Sequence, residues 1–465
     1  MKRIIICRRL AVLAGALVAF ALAATAQASA KTLIAGNNPA TCPNADFVTI
    51  QAAIDASGPG DTVRVCPGTY PEQVRIVGHD HDGLKLESIE PLQAVIQWPT
   101  PETFPLALVD FNNADGVTLR AFTVTGPFTS AACSPDRHEG LLVENGFDER
   151  IVENPITLIR NSDPALYHCS EGDAVAIGRR TDPAEVFPPG SERVDHNLID
   201  KYQKNGVQAV NTGTFVHAEH NVITGSSAVQ SSIASKGVVV FRHAAAIEQN
   251  EISNNKFTPF PLSTRIILVG APPGSSSIKD NFVHENDQGM EVDGESGLEI
   301  SHNEVAGNRS AAITLCGTPS FGCVPLTDSS VKDNFVHGNG GWGLRLGGAD
   351  NNLVKDNKIE RNGGADSTNG ISLVLGSRGN MILDNHTTAT TTLSEPARSV
   401  RPTSGATTKA RPRTSPVSAR RGKRASLKHT VGRWLISGRD PSEVTLRPRD
   451  GCWVTSRTLR REGAR

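Results

Sequence analysis

Aromatic residues are scarce in this chain, at 5% of the total, with three Tyr and four Trp, and only three Met occur. No Cys-x-x-Cys pair occurs, and no cysteine spacing suits zinc. The stretch GPGDT at 58–62 lacks the Lys-Ser/Thr that ends a phosphate loop, and reads as a turn into a strand at Val63–Val65. Nothing resembles a nucleophilic Ser elbow or a dinucleotide fingerprint. After the first thirty residues no apolar run is long enough to cross a bilayer. These absences exclude zinc modules, phosphate-loop enzymes, Ser hydrolases of the elbow type and membrane-spanning bundles. What is abundant is Gly (43) and Pro (28), a mix that favours short strands and many turns.

The first thirty residues read as an export signal. MKRIIICRR is a basic segment, LAVLAGALVAFALAA an apolar one, and AQASA offers cleavage after Ala28 or Ala30. The apolar segment is short for a membrane span. No cysteine sits at the cut, which argues against a lipid anchor. The mature protein is therefore expected to be secreted, without a membrane span, and monomeric. In an oxidising compartment cysteines form disulfides. Cys7 leaves with the signal, and the order of the others suggests Cys42–Cys66, Cys133–Cys169 and Cys316–Cys323, with Cys452 left over.

One phrase recurs along the chain. It reads HNLIDKYQKNGVQAVN from His196, HNVITGSS from His220, QNEISNN from Gln249 and DNFVHENDQGMEVDG from Asp280. It returns as HNEVAGNRSAAITLCG from His302, DNFVHGNGGWGLRLGG from Asp333, DNKIERNGG from Asp356 and DNHT from Asp384. Its key Asn falls at 197, 221, 250, 281, 303, 334, 357 and 385, a period in the low twenties with insertions. No unit has the 3.6-residue apolar period of a helix. Each holds short β-branched stretches that cannot bury their own apolar side, whereas stacked units share a continuous core. The Asn residues have a structural role first: Asn tolerates the left-handed region at a tight bend, and stacked Asn side chains can bond as a ladder.

With these phrases, and with the opening DFVTIQAAIDASGPGDTVRVCPGTYPEQVRI, the chain resembles right-handed parallel β-helix proteins, the group that includes pectate-lyase-like enzymes. The resemblance covers roughly 43–388. It implies an all-β fold, a single right-handed parallel β-helix over 31–390, with a short N-terminal helix (Ile50, Ala53, Ile54) capping its open end. It is specific for the scaffold and weak for activity.

Alternate residues of a strand face outward. Aligning the units gives one outward column of Leu142, Gln208, Val239, Ile267, Glu291, Thr314, Arg345 and Ser372, beside a second with Glu144, Val210, Phe241, Val269, Asp293, Gly347 and Val374. Polar groups cluster at Glu291, Asp293, Thr314 and Arg345, with Trp342 at the near end of the Arg345 strand. Windings stack about 4.8 Å apart, so Arg345 is expected about 10 Å from Glu291.

Such a shelf suits a polysaccharide. Glu291, Asp293 and Arg345 are the candidate catalytic residues, and Trp342 and Thr314 the candidate substrate contacts. Glu291 and Asp293 could hold Ca2+, which prefers oxygen ligands, and the resemblance implies lyase chemistry with Arg345 as base or charge stabiliser. Two carboxylates could instead serve glycoside hydrolysis. The alternative is a non-catalytic carbohydrate-binding or structural repeat protein whose outer charges are merely solvated.

Lesser candidates read as structural. GHDHDG (His79, Asp80, His81, Asp82) looks metal-like but has no third ligand nearby in sequence. His284 and His337 read as surface turn residues. Lys236, Arg242 and His243 lie near the shelf but off its column.

After about residue 390 the composition changes. Residues 391–465 hold 18 Lys+Arg against five Asp+Glu and contain no Asn, Phe or Tyr. The overall charge of −1 thus hides an acidic body, which argues against nucleic acid as its main partner, and a basic tail. The tail is expected to be disordered, with a polyanion-binding arm or an out-of-frame extension as the other readings.

Overall fold

The computed structural model describes residues 29–133, 138–178, 190–210, 215–226, 234–257, 266–316, 326–363, 370–374 and 376–388, plus the backbone of Thr392–Leu393 and Trp434–Leu435. Residues 1–28 of the expected signal, the Cys316–Cys323 pairing, Cys452 and the rest of the basic tail lie outside the described residues. Among the described residues no helix is long and apolar enough to cross a membrane.

Three short strands make one winding. The chain visits sheet 1 (Val74–Val77 in the first winding), sheet 2 (Lys85–Ser88) and sheet 3 (Ala94–Gln97), then returns to sheet 1 at Ala107–Asn112. Repetition yields sheets of 12, 14 and 12 strands, in which each strand pairs in parallel with its counterpart one winding on, except Trp434–Leu435, which ends sheet 2 antiparallel to Met381–Leu383. The fold is the right-handed parallel β-helix expected from the repeats.

Its axis is filled by the inward half of each strand. Sheet 1 contributes Leu141 and Val143, Val238 and Val240, Met290 and Val292, Leu344 and Leu346; sheet 2 contributes Leu119, Ile151, Val194 and Ile300; sheet 3 contributes Val124, Ile156, Ile252 and Val336. These residues form one contiguous core. β-branched side chains recur because two atoms on Cβ pack well on a pleated strand and lose little rotamer freedom there. Gly289, at the entry to a sheet 1 strand, faces a close approach: a Cβ there would stand 2.1 Å from the Ala312 carbonyl oxygen of the next winding. This is why the repeated phrase carries a Gly before its strand.

The N-terminal helix is Ile50–Asp55, with Ile50, Ala53 and Ile54 buried. The Thr49 hydroxyl accepts from Ala52 N, and the Glu72 carboxylate accepts from Ile50 N and Gln51 N at 2.9 and 3.1 Å. That satisfies donors every helix leaves open at its start. Disulfides join Cys42 to Cys66 and Cys133 to Cys169.

The turn from sheet 2 to sheet 3 is two residues long in every winding from His196 to Asn385. Its second residue is the repeated Asn. Asn197, 221, 250, 281, 303, 334, 357 and 385 form an unbroken buried ladder, to which Asn154 adds a ninth member. Each Nδ2 donates to the next Oδ1 at 2.8–3.2 Å, and each backbone N–H donates to the same oxygen. One expectation is corrected. The left-handed backbone falls on the residue before the Asn, as at His196 (φ 55), Asp280 (φ 55) and Asp356 (φ 56), and not on the Asn itself. The Asn must turn inward to reach its neighbours, so the bend falls on the outward residue. A non-Gly residue there costs about 1–2 kcal/mol, which the ladder offsets.

His284 and His337 differ from their expected place too. They end the strands Phe282–His284 and Phe335–His337 and do not sit in turns. Each stacks on its own Phe at 4.1 Å, and each Nε2 meets a glutamate of the preceding winding, Glu251 at 3.2 Å and Glu304 at 2.9 Å.

On sheet 2, Glu299 bridges Lys279 and Lys332, both at 2.7 Å. Hydrogen bonds from these two lysines hold its carboxyl down at about 2. Such a depressed group adds stability above its ordinary value of 4.5, and that contribution is lost as pH falls towards 2. The network is solvent-screened, so Glu299→Gln is expected to cost below about 1 kcal/mol in denaturant titration at neutral pH. High salt should narrow the difference.

Candidate functional site on the outer face of sheet 1

The two-residue turns between sheets 2 and 3 leave no room for variation. Insertions fall on either side of sheet 1, at 178–190, 227–235, 254–265 and 317–329. Loops carry function when a rigid scaffold presents them, so the outer face of sheet 1 is where a site would be built.

The register of sheet 1 places Ile267, Glu291, Thr314, Arg345 and Ser372 side by side on successive windings. The row continues back through Val239, Gln208, Ala176, Leu142 and Asp110 to Arg75. The neighbouring row holds Val269, Asp293, Cys316 and Gly347. Glu291, Thr314 and Arg345 therefore occupy consecutive windings, and Asp293 shares the Glu291 strand. With strands about 4.8 Å apart, Glu291 and Arg345 stand about 10 Å apart across Thr314.

Arg345 is 8% exposed. Its guanidinium lies 5.2 Å from the centre of the Trp342 ring, within cation–π range. Glu291, Asp293, Thr314 and Trp342 are half-buried. The face thus offers carboxylates, a hydroxyl and a cation on successive windings, with an aromatic ring beside the cation.

Two polar groups escaped sequence reasoning. Glu295 follows Asp293 at the corner between sheets 1 and 2. It is buried and accepts from Ala271 N at 2.6 Å. Burial pushes its carboxyl up to about 7, against the pull of that hydrogen bond. The phrase VDGES carried a hint, since Glu295 continues the alternation of Glu291 and Asp293.

The second lies at the other end of the sheet. His138 is buried between two glutamates, with Nδ1 3.0 Å from Glu171 and Nε2 3.3 Å from Glu102. Its ring stacks on Phe128 at 4.5 Å, and Trp98 donates to Glu102 at 3.0 Å. Asp110, Glu139, Asp173, Asn205 and Gln208 are buried beside this group on the same face. Asn205 Nδ2 donates to Asp173 at 2.7 Å and to Gln208 at 3.2 Å. No sequence signal joined them, because the first windings lack the Asn phrase that sets register.

The remaining candidates are placed as follows. Lys236 pairs with Asn205 in register, off the Glu291 row, and Arg242 has φ 62 in a bend. His243 is buried. His79 and Asp82 lie beside Asp115 of the next winding, a third partner that sequence alone did not supply.

Comparison with known proteins bears on the scaffold. Residues 205–388 match the family model described as "Right handed beta helix region". No curated protein matches in sequence. Among solved structures, the Dettilon tailspike protein superposes with TM-score 0.56 at 17% identity, over 78% of this chain and 69% of that one. A surface adhesin of Streptococcus pneumoniae superposes with TM-score 0.46 at 14% identity, over 74% and 89%. The A-module of a mannuronan C-5 epimerase from Azotobacter vinelandii gives TM-score 0.44 at 16% identity, over 73% and 83%. The Asn ladder, the three stacked sheets, the family-model match and the tailspike superposition lead to one conclusion: the chain is a right-handed parallel β-helix repeat protein.

Proposed function

We propose that this chain is an exported protein that binds an anionic polysaccharide along the outer face of sheet 1 and acts on it at Glu291, Asp293 and Arg345. The observation that carries this is the register, which sets Glu291, Thr314 and Arg345 side by side next to Trp342. A sugar chain lying along the axis would meet these groups in sequence. The Trp342 ring would pack against a sugar face and the Thr314 hydroxyl would bond a ring substituent. Glu291 would move the proton, and the Arg345 cation would stand where negative charge develops. Glu291 and Asp293 supply oxygen ligands of the kind Ca2+ takes; they lie two residues apart on one strand, and further oxygens would come from a uronate or water. A bound Ca2+ would neutralise the uronate carboxylate. The two disulfides fit an oxidising compartment.

The test is incubation with uronate polymers and a neutral glycan panel, with Ca2+ and with chelator. Unsaturated product absorbance reports elimination, and new reducing ends without it report hydrolysis. Glu291→Gln and Arg345→Ala are each expected to lower turnover about 100-fold. Trp342→Ala should weaken glycan binding about tenfold. The low exposure of Arg345 favours a second reading, in which it only braces Trp342 and the face binds without turnover. In that case glycan binding falls with Trp342→Ala and no product forms. Absence of product together with unaltered glycan binding in all three variants would remove both readings.

A further inference from the structure

We propose that His79, Asp82 and Asp115 form a three-ligand site for a first-row divalent cation, with Zn2+ the best fit, that clips together two successive windings near the N-terminal end. His79 Nδ1 lies 3.2 Å from Asp82 Oδ1 and 3.5 Å from Asp115 Oδ2. Ligand atoms about 2.05 Å from a tetrahedral zinc stand about 3.3 Å from one another. Both separations from His79 Nδ1 therefore already match the spacing that a shared cation imposes, and all three ligand atoms lie within 4.8 Å of one another.

The backbone explains how they come together. Asp82 and Asp115 each precede a left-handed glycine, Gly83 (φ 70) and Gly116 (φ 68). The same turn occurs on two windings, and Gly83 N donates to Asp115 O at 2.7 Å, so the turns stack and the two carboxylates overlie. Asp115 N also donates to Asp82 Oδ1 at 2.9 Å, which fixes the lower carboxylate. Gly78 (φ 90) then opens the short 3-10 turn His79–His81 that aims His79 back at both.

The electrostatics are incomplete without a cation. Asp115 Oδ1 is buried and accepts no hydrogen bond. Two carboxylates held against one imidazole on a fixed turn is an arrangement that a divalent ion neutralises. One nitrogen and two oxygens suit Zn2+ better than Ca2+, which takes six to eight oxygens. The imidazole and the Asp82 carboxylate reach solvent, leaving a fourth position for water. This site is separate from the sheet 1 shelf, and nothing in it depends on the polysaccharide proposal.

A second imidazole–carboxylate group complicates the test and is removed from it. His196 and His220 both point Nδ1 at Asp195 Oδ1, at 2.7 and 3.1 Å. The experiment therefore uses the full chain without a histidine tag and with His196→Ala and His220→Ala. Co2+ is titrated by its visible d–d absorption and Zn2+ by calorimetry. One equivalent of each is expected to bind in this background. Asp115→Asn should abolish it, and His79→Ala, at an exposed position, should weaken it about 100-fold while the circular dichroism spectrum stays that of a β protein. Failure of the background protein to bind either ion would overturn the proposal. So would binding that survives both Asp115→Asn and His79→Ala unchanged.

Discussion

Replacing Asn303 with Ala is expected to lower the unfolding free energy by about 4 kcal/mol in denaturant titration. Asn303 Nδ2 donates to Ile278 O, Ser301 O and Asn334 Oδ1, and its Oδ1 accepts both N–H groups offered by Asn281. All of this is buried. Truncation strands donors and acceptors that water cannot reach, and each orphaned group costs about 1–3 kcal/mol. Relaxation recovers part of the sum. Since a domain's net stability is only about 5–15 kcal/mol, one such change is a large share of it. The comparison is Asn385→Ala at the end of the ladder, which removes bonds to Val354 O and Leu383 O and the two accepted from Asn357, but no onward bond to a further Asn. It should cost somewhat less. An Asn303→Ala protein within about 1 kcal/mol of wild type would mean that the ladder is ornament and that apolar stacking alone holds the windings.

The second large effect is a loss of stability as pH rises. Glu149 and Glu192 occupy the core column that continues from Leu84 and Val117, where other windings carry Val216 or Leu298. Glu149 N donates to Glu192 Oε2 at 3.0 Å, and both carboxyls are about 1% exposed. Burial raises both above the ordinary 4.5; Glu149 further opposes ionisation of Glu192, while the hydrogen bond with Glu192 partly counters the rise at Glu149, and Asp148 adds to both. The folded state therefore holds protons that the unfolded chain releases above about pH 4.5. Stability contributed by these protons is complete below that value and declines as pH rises through neutrality, by up to about 1.4 kcal/mol per pH unit for each proton retained. Glu295, raised to about 7, acts in the same direction between pH 4.5 and 7. The double variant Glu149→Gln, Glu192→Gln keeps the shape without the charge. Its midpoint should match wild type near pH 4 and exceed it increasingly from pH 6 to 9. Parallel stability–pH curves for the two proteins would show that the pair is not buried as a proton-sharing unit.

These two effects pull against Glu299, whose contribution fades on acidification. The protein should thus be most stable in mildly acidic solution. That maximum is a property of three buried or bridged carboxyl sites, and not of the net charge of −1.

How far the site could be read from the chain depended on the Asn phrase. Between Asn197 and Asn385 the phrase marks the same corner of each winding, and aligning the following strands on their Gly or first inward apolar residue places Glu291, Thr314 and Arg345 in one row. That row is the one the strand register contains. Ala176 falls outside that alignment because the phrase does not precede its strand and the insertion 178–190 follows it. The same gap hid His138, Glu102 and Glu171. Early windings span 33, 32 and 43 residues, so spacing alone does not say which residues stack.

The sequence by itself determined the architecture, because alternation with period two and a repeated corner residue leave a chain only one way to bury its apolar side. It also determined which residues face outward wherever that corner is marked. Only the tertiary structure decided which windings lie together where the marker is missing. It alone supplied Asp115 to His79 and Asp82, Glu192 to Glu149, and two glutamates to His138. The reason is geometric: in a solenoid the nearest neighbour of a side chain lies a full turn away, and an insertion anywhere in that turn changes its number without changing its place.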